Sequence, residues 1–338
     1  MGLKVTRQQI LAFRQRTGAL DARLPKGVAS LRRAAWAGLQ DSMPRAAVLS
    51  LHARVEGVEP STWEHSSLAQ LWGPRYQVYV VPKRDFALFS LARLPEDEKG
   101  RLRATQMAER LHAHLRDRRM TDRELGRALR IGNEMRYATT TGTLAIRWGG
   151  ARAPVVWAVE VPEIDPADAR RELARRYLHV YGPSTADAFA RWAGVSKRAA
   201  GATFASLEGS LLPVRSPLGD EWLLAEDEPA IRVDEAAAAP ARLLPSGDAY
   251  FLLLRGAERE LLVPRSDRRE RLWTSRVWPG AVLVDGDVAG TWRRAGASVT
   301  VQPWRRLTRE ARAAVEAEAA TLPLPEAHGE VDVRWEDD

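Results

Sequence analysis

A chain of 338 residues, 45% hydrophobic and 28% charged, exceeds one ordinary core and predicts about two to four folded domains. The absence of cysteine excludes a disulfide framework, a thiolate nucleophile, an iron–sulfur cluster and any cysteine-ligated zinc. The net charge of +7 is unevenly placed: residues 1–56 hold ten Lys/Arg against three acids, and residues 101–130 hold nine Arg against four. Phosphate neutralisation requires such concentrated positive charge, although solvated helix faces show it too.

The N-terminal stretch MGLKVTRQQILAFRQRTG is charged and periodic and lacks a signal-peptide core, and no apolar run approaches membrane-spanning length. A cytoplasmic location is expected. TRQQILAFRQRTG predicts a helix with Ile10, Leu11 and Phe13 on one face and a stop at Gly18. Two further helices follow over 28–39 and 43–55, and alternation predicts a strand over 76–81. The order then repeats. RATQMAERLHAHLRD is helical, Thr121 and Glu124 form a capping box before ELGRALR, and two strands meet around Gly149-Gly150.

A third copy opens on Asp165-Pro166 and stops at Gly182. Thr185 begins a second helix ended by Gly194, Ser196 caps a third, and PVRSPLGDEWLLA forms a hairpin turning at 217–220. After a linker, DEAAAAPARLLP, the pattern from Leu243 predicts strands: AYFLLLRG and AERELLVP about Gly256, then GAVLVDGDVAGTWRR turning at Asp285-Gly286, then ASVTVQPW. A last helix starts at Thr308 and ends before Pro323, and the acidic tail after His328 is expected to fray.

Three helices followed by a β-hairpin is the grammar of a winged helix, whose third helix enters the major groove while its wing lies on the backbone. The expected fold class is therefore α+β. It comprises three tandem winged-helix units over 1–95, 97–164 and 165–232 plus a small β-rich domain over 243–325. The expected partner is double-stranded DNA, bound by a monomer that sits on the nucleoid when engaged. Arg32, Arg33, Arg45, Arg54 and Arg75 are the candidate phosphate contacts, with ordinary surface arginines as the competing reading. No His or carboxylate cluster has metal-ligand spacing and no glycine-rich phosphate loop follows a strand, so no cofactor and no metal are expected.

Four segments carry a resemblance to the AlkZ-like DNA glycosylase family: GLQDSMPRAAVLSLHARV (38–55), LARRYLHVYGPSTADAFARWAG (173–194), LLPSGDAYFLL (243–253) and LVDGDVAGTWRR (283–294). The resemblance implies winged helices arranged as a C around DNA. It also implies hydrolysis of the N-glycosidic bond of alkylated purines and unhooking of interstrand crosslinks. The catalytic element of studied members, Gln-x-Gln or Gln-x-Asp, corresponds to Gln40-Asp41-Ser42, so Ser42 stands in the third place and an acid lies one place early. A second family segment, usually Arg-Gly-Thr-Leu-His, corresponds to Arg75-Tyr76-Gln77-Val78-Tyr79 and lacks its histidine.

An alkylated purine is a cationic leaving group, so the protein mainly orients a water toward C1′ and stabilises an oxocarbenium-like sugar. Gln40 suits the first task and Asp41 the second, with Ser42 able to help hold the water. Two-residue spacing puts Gln40 and Ser42 on one side and Asp41 on the other. The competing reading makes Asp41 or Ser42 the N-cap of the helix that follows, with Pro44 in its first turn. A monofunctional glycosylase, a non-catalytic DNA-binding protein (regulator or lesion sensor) and a protein-interaction scaffold remain the alternatives.

Overall fold

Local capping chemistry sets most helix boundaries. The computed structural model describes residues 2–42, 45–150, 152–233, 240–275, 277–324 and 331–336. Thr6 and Gln9 form a reciprocal capping box that opens the helix Arg7–Thr17. Thr121 and Glu124 do the same for Asp122–Leu129. Asp165 accepts from the amides of Ala167 and Asp168, with Pro166 in the first turn of Pro166–Tyr181. Thr185 caps Ala186–Ala193, and Ser196 caps Lys197–Ser206. Gly194 ends the former in the left-handed region at φ +73°, and a Cβ there would lie 3.0 Å from the Arg75 amide nitrogen. Both its conformation and its neighbour therefore require glycine.

The architecture is mixed α+β, with three sheets among the described residues. The largest has six strands in the order Leu39–Gln40, Val78–Pro82, Leu68–Trp72, Leu144–Arg147, Val155–Ala158 and Met120–Thr121. It joins the first two helical stretches through the register Gln70 opposite Ile146. Leu3–Lys4 pairs in parallel with Leu211–Ser216, the first arm of the third stretch's hairpin, whose other arm is Gly219–Leu224. The third sheet, near the C-terminus, runs Arg242–Leu244, Gly280–Val284, Asp287–Ala295, Ser298–Pro303 and Asp332–Trp335. The first helical stretch shares its core with that sheet: Leu39, Val48 and Leu51 pack in one buried cluster with Leu243, Val282 and Val301. Among the described residues no helix is long and apolar enough to cross a membrane.

Several expected elements differ. The strands expected between 249 and 263 are short helices, Ala249–Leu252 and Ala257–Leu262, followed by Ser266–Leu272. A short apolar run such as FLLL carries no periodicity that separates a buried strand from a buried helix. The caps decide instead, with Asp248 accepting from the Tyr250 amide. The tail does not simply fray, since Asp332–Trp335 extends the last sheet in parallel and the Trp335 indole donates to Glu316. The second helix ends at Ala34, and the third begins at Ala46. Met43 and Pro44, like the first half of the linker (234–239), lie outside the described residues.

Candidate active site

The strand Leu39–Gln40 is only two residues long, but it is anchored in register, with Gln40 opposite Tyr79 and the Asp41 amide donating to the Val78 carbonyl at 2.8 Å. The Tyr79 hydroxyl donates to Gln40 Oε1 at 3.4 Å. Burial pushes the Tyr79 phenol up to about 12, so it is a neutral donor throughout the physiological range. With its oxygen turned toward Tyr79, the amide of Gln40 presents its NH2 the other way. Tyr79 occupies the position where the resembled segment carries histidine.

Asp41 faces inward and has no exposed surface. Its Oδ1 accepts from the Ala47 amide at 3.1 Å, capping the helix Ala46–His52, while Oδ2 accepts from Gln70 Nε2 at 2.9 Å and Arg45 Nη1 at 3.4 Å. The carboxylate expected beside a substrate is thus enclosed, with both of its oxygens engaged by the scaffold. Capping is what the acid does here. Ser42 lies one residue on, and its buried Oγ has no hydrogen-bond partner among the described residues.

Gln70 and Trp148 are invisible to sequence reasoning, because nothing in the spacing of positions 41, 70 and 148 links them. Gln70 Oε1 accepts from the Trp148 amide at 2.7 Å, and the Trp148 carbonyl accepts from Arg45 Nη2 at 3.2 Å. The hairpin that follows Arg147 is thereby fastened beside the segment 40–42. The only sequence signal for it is the Gly149-Gly150 turn.

Burial pushes the Asp41 carboxyl up to about 6, against the opposing pull of the Ala47 amide, Arg45 and Gln70. The folded protein therefore binds this proton more tightly than the unfolded chain, in which the carboxyl returns to 3.8. Stability is present at low pH and is lost as pH rises from about 4 to 6, by about 3 kcal/mol in all. Urea unfolding across that window, compared with Asp41→Asn, should show this loss in the wild type and not in the variant. Parallel pH profiles would refute it.

The five candidate arginines separate. Arg33 and Arg75 are exposed. Arg33 lies 4.9 Å over the Trp36 ring with its guanidinium 2.7 Å from His179 Nε2, and His179 Nδ1 faces Asp227 at 2.8 Å. Arg75 holds a left-handed backbone, φ +55°. Arg32 is half-buried, with a buried Nε unpartnered among the described residues. Arg45 is mostly buried, stacked 3.9 Å over Trp63 and ion-paired to Asp41. Arg54, expected at a phosphate, is instead buried in a two-pronged bond to Asp248 at 2.7 and 2.8 Å and has no surface to offer one. Charge counted along a sequence does not distinguish a paired guanidinium from a free one.

His52 and His65, the histidines nearest the segment in sequence, do not join it. His52 is buried beside Arg23 and Glu318, and burial pushes it down to about 3, so it stays neutral. His65 turns to the Ser67 hydroxyl.

The chain aligns with the interstrand DNA cross-link repair glycosylase of Streptomyces sahachiroi at 28% identity over 196 residues, covering 56% of this chain and 48% of that protein. The match thus spans about half of the relative's length. The solved structure of Streptomyces sahachiroi DNA glycosylase AlkZ superposes with a TM-score of 0.79 over 99% of this chain and 100% of that one, at 19% identity, so the two share a fold. The sequence profile described as DNA glycosylase AlkZ-like matches residues 33–323, and the chain belongs to that family.

Proposed function

We propose that the protein is a monofunctional DNA glycosylase that hydrolyses the N-glycosidic bond of alkylated or crosslinked purines in double-stranded DNA. The observation that carries this reading is Gln40. Its amide is oriented by Tyr79 at the family's motif position, one residue from Asp41 and two from the Ser42 hydroxyl, which has no hydrogen-bond partner among the described residues. In this mechanism the Gln40 amide and the Ser42 hydroxyl hold the attacking water against C1′; the cationic base leaves as a neutral molecule with the electrons of the N-glycosidic bond, so no strong acid is needed, and the water loses its proton to solvent as the C1′–O bond forms. Asp41 acts at one remove. It fixes the start of the helix Ala46–His52 and holds Gln70, which in turn fastens the Trp148 hairpin beside the site. Asn is an imperfect replacement for it, since an amide NH2 facing Gln70 Nε2 would set donor against donor.

The same reading takes the stretches 1–95, 97–164 and 165–232 as winged helices set in a C around the duplex, acting as a monomer inside the cell. Arg33 and Arg75 are its exposed phosphate ligands, with Arg32 and Arg45 at the margin. Replacing Arg33 and Arg75 together by Ala should flatten the log–log salt dependence of duplex affinity by about 0.9 for each phosphate no longer neutralised. An unchanged slope would remove both residues from the interface.

A non-catalytic DNA-binding protein is the second reading, favoured by the burial of the motif's acid and by serine in its third position. Release of 7-methyladenine or 7-methylguanine from methylated duplex DNA decides between them. Wild-type protein that binds duplex but frees no base from methylated or crosslinked substrates would establish the second.

A further inference from the structure

A cleft of about 830 Å³ opens beside the six-stranded sheet; Gln40, Asp41 and Ser42 do not line it, although Gln70, which donates to Asp41, does. Ala145 and Trp157 are cross-strand partners and both line the cleft, where the indole is partly exposed. Arg119 lies 4.7 Å over the Trp157 ring, and Trp63 is covered by Arg147 at 5.4 Å. Lys83 and Arg84 stand at the rim, and Val161, 75% exposed, gives it an apolar lip.

The charge balance favours an anion. Four cationic side chains line the cleft against two carboxylates, Glu64 and Glu160, and Glu64 is already engaged by Arg147 at 2.7 Å. Among the described residues, Lys83 and Arg119 have no ion-pair partner. The volume falls in the range of sites that enclose one small ligand. A half-exposed indole beside unpaired cations is the chemistry that receives a flat ring carrying a negative charge, the ring on the aromatic face and the charge on the cations. A base paired within a duplex has both faces covered by its neighbours and cannot supply that ring.

We propose that this cleft is a second nucleic-acid site that takes an unpaired nucleotide of single-stranded DNA, with its base on Trp157 and its phosphate on Arg119 and Lys83. The site does not depend on the glycosylase reading, since a protein without that activity would bind single strands in the same way.

The test is fluorescence anisotropy with labelled oligo(dT)12 at low salt, set beside duplex binding by the same full-length protein. Trp157→Leu and, separately, Arg119→Glu should each weaken binding of the single strand by about tenfold, the ordinary yield of one stacked base or one charge contact. Duplex affinity should stay within about twofold. Arg119 is exposed, so its variant decides the matter if Trp157→Leu fails to fold. Wild-type affinity for oligo(dT)12 in both variants overturns the proposal. So does a parallel loss of duplex affinity, which would make the cleft part of the duplex interface, and so does binding of thymidine monophosphate without binding of the oligonucleotide.

Discussion

Gln40→Ala is expected to lower release of N7-alkylated purines from methylated duplex DNA by about a hundred- to a thousand-fold, the usual loss when one preorganised stabilising group is removed from a reaction centre. Duplex affinity should hardly change, because Gln40 is only 7% exposed and carries no charge. The loss should fall on the single-turnover rate constant rather than on the DNA concentration at half-saturation. Tyr79→Phe supplies a graded companion. It leaves the strand pairing of 39–40 intact and deletes one neutral hydrogen bond of about 1 kcal/mol, so a fall of about fivefold is expected. If Gln40→Ala released base as fast as the wild type, the water would have to be held elsewhere, and Ser42 would be the next residue to replace. If Tyr79→Phe fell as far as Gln40→Ala, the phenol would be doing more than orienting an amide.

Asp248→Ala should cost about 3–5 kcal/mol of unfolding free energy, the largest stability loss expected of any single substitution considered for this chain. The carboxylate is entirely buried and receives both prongs of Arg54, the Ser50 hydroxyl at 2.7 Å and the Tyr250 amide at 2.9 Å. Burial alone would push this carboxyl up, but the charge and hydrogen bonds of Arg54, with those of Ser50 and Tyr250, hold it below the usual carboxylate range. Removing it strands a guanidinium in the interior and uncaps the helix Ala249–Leu252. The loss should appear as a lower urea midpoint with an unchanged slope. The double variant Arg54→Met/Asp248→Leu should recover much of it, since apolar groups of similar volume need no partner. If Asp248→Ala unfolds at the wild-type midpoint, the pair does not hold the two parts of the chain together.

The legible parts of the sequence are those decided within a few residues. The capping box at Thr121 and Glu124, the Asp165-Pro166 start, the Ser196 cap and the Asp285-Gly286 turn all lie where local chemistry puts them. The segment 249–263 reads as strand in the sequence and folds as helix, because a continuous apolar run states burial without stating period. At the candidate site, Gln40-Asp41-Ser42 can be found by likeness to a family and by the charge around it. The division of labour among the three cannot, since it depends on Gln70 and Trp148, which approach only when two sheet segments join. The same holds for the arginines: Arg54 and Arg33 read alike in sequence, and only Asp248 tells them apart.

The pairing of Leu3–Lys4 with Val214–Arg215 has a consequence for the molecule's history. The start of the chain supplies the outer strand of a hairpin two hundred residues downstream, the second stretch borrows a sheet edge from the first, and Asp248 reaches back to Arg54. Although its helices read like beads on a string, the chain is laced shut. Gene rearrangement could not shuffle these stretches one at a time, because each completes a sheet or a buried ion pair in another.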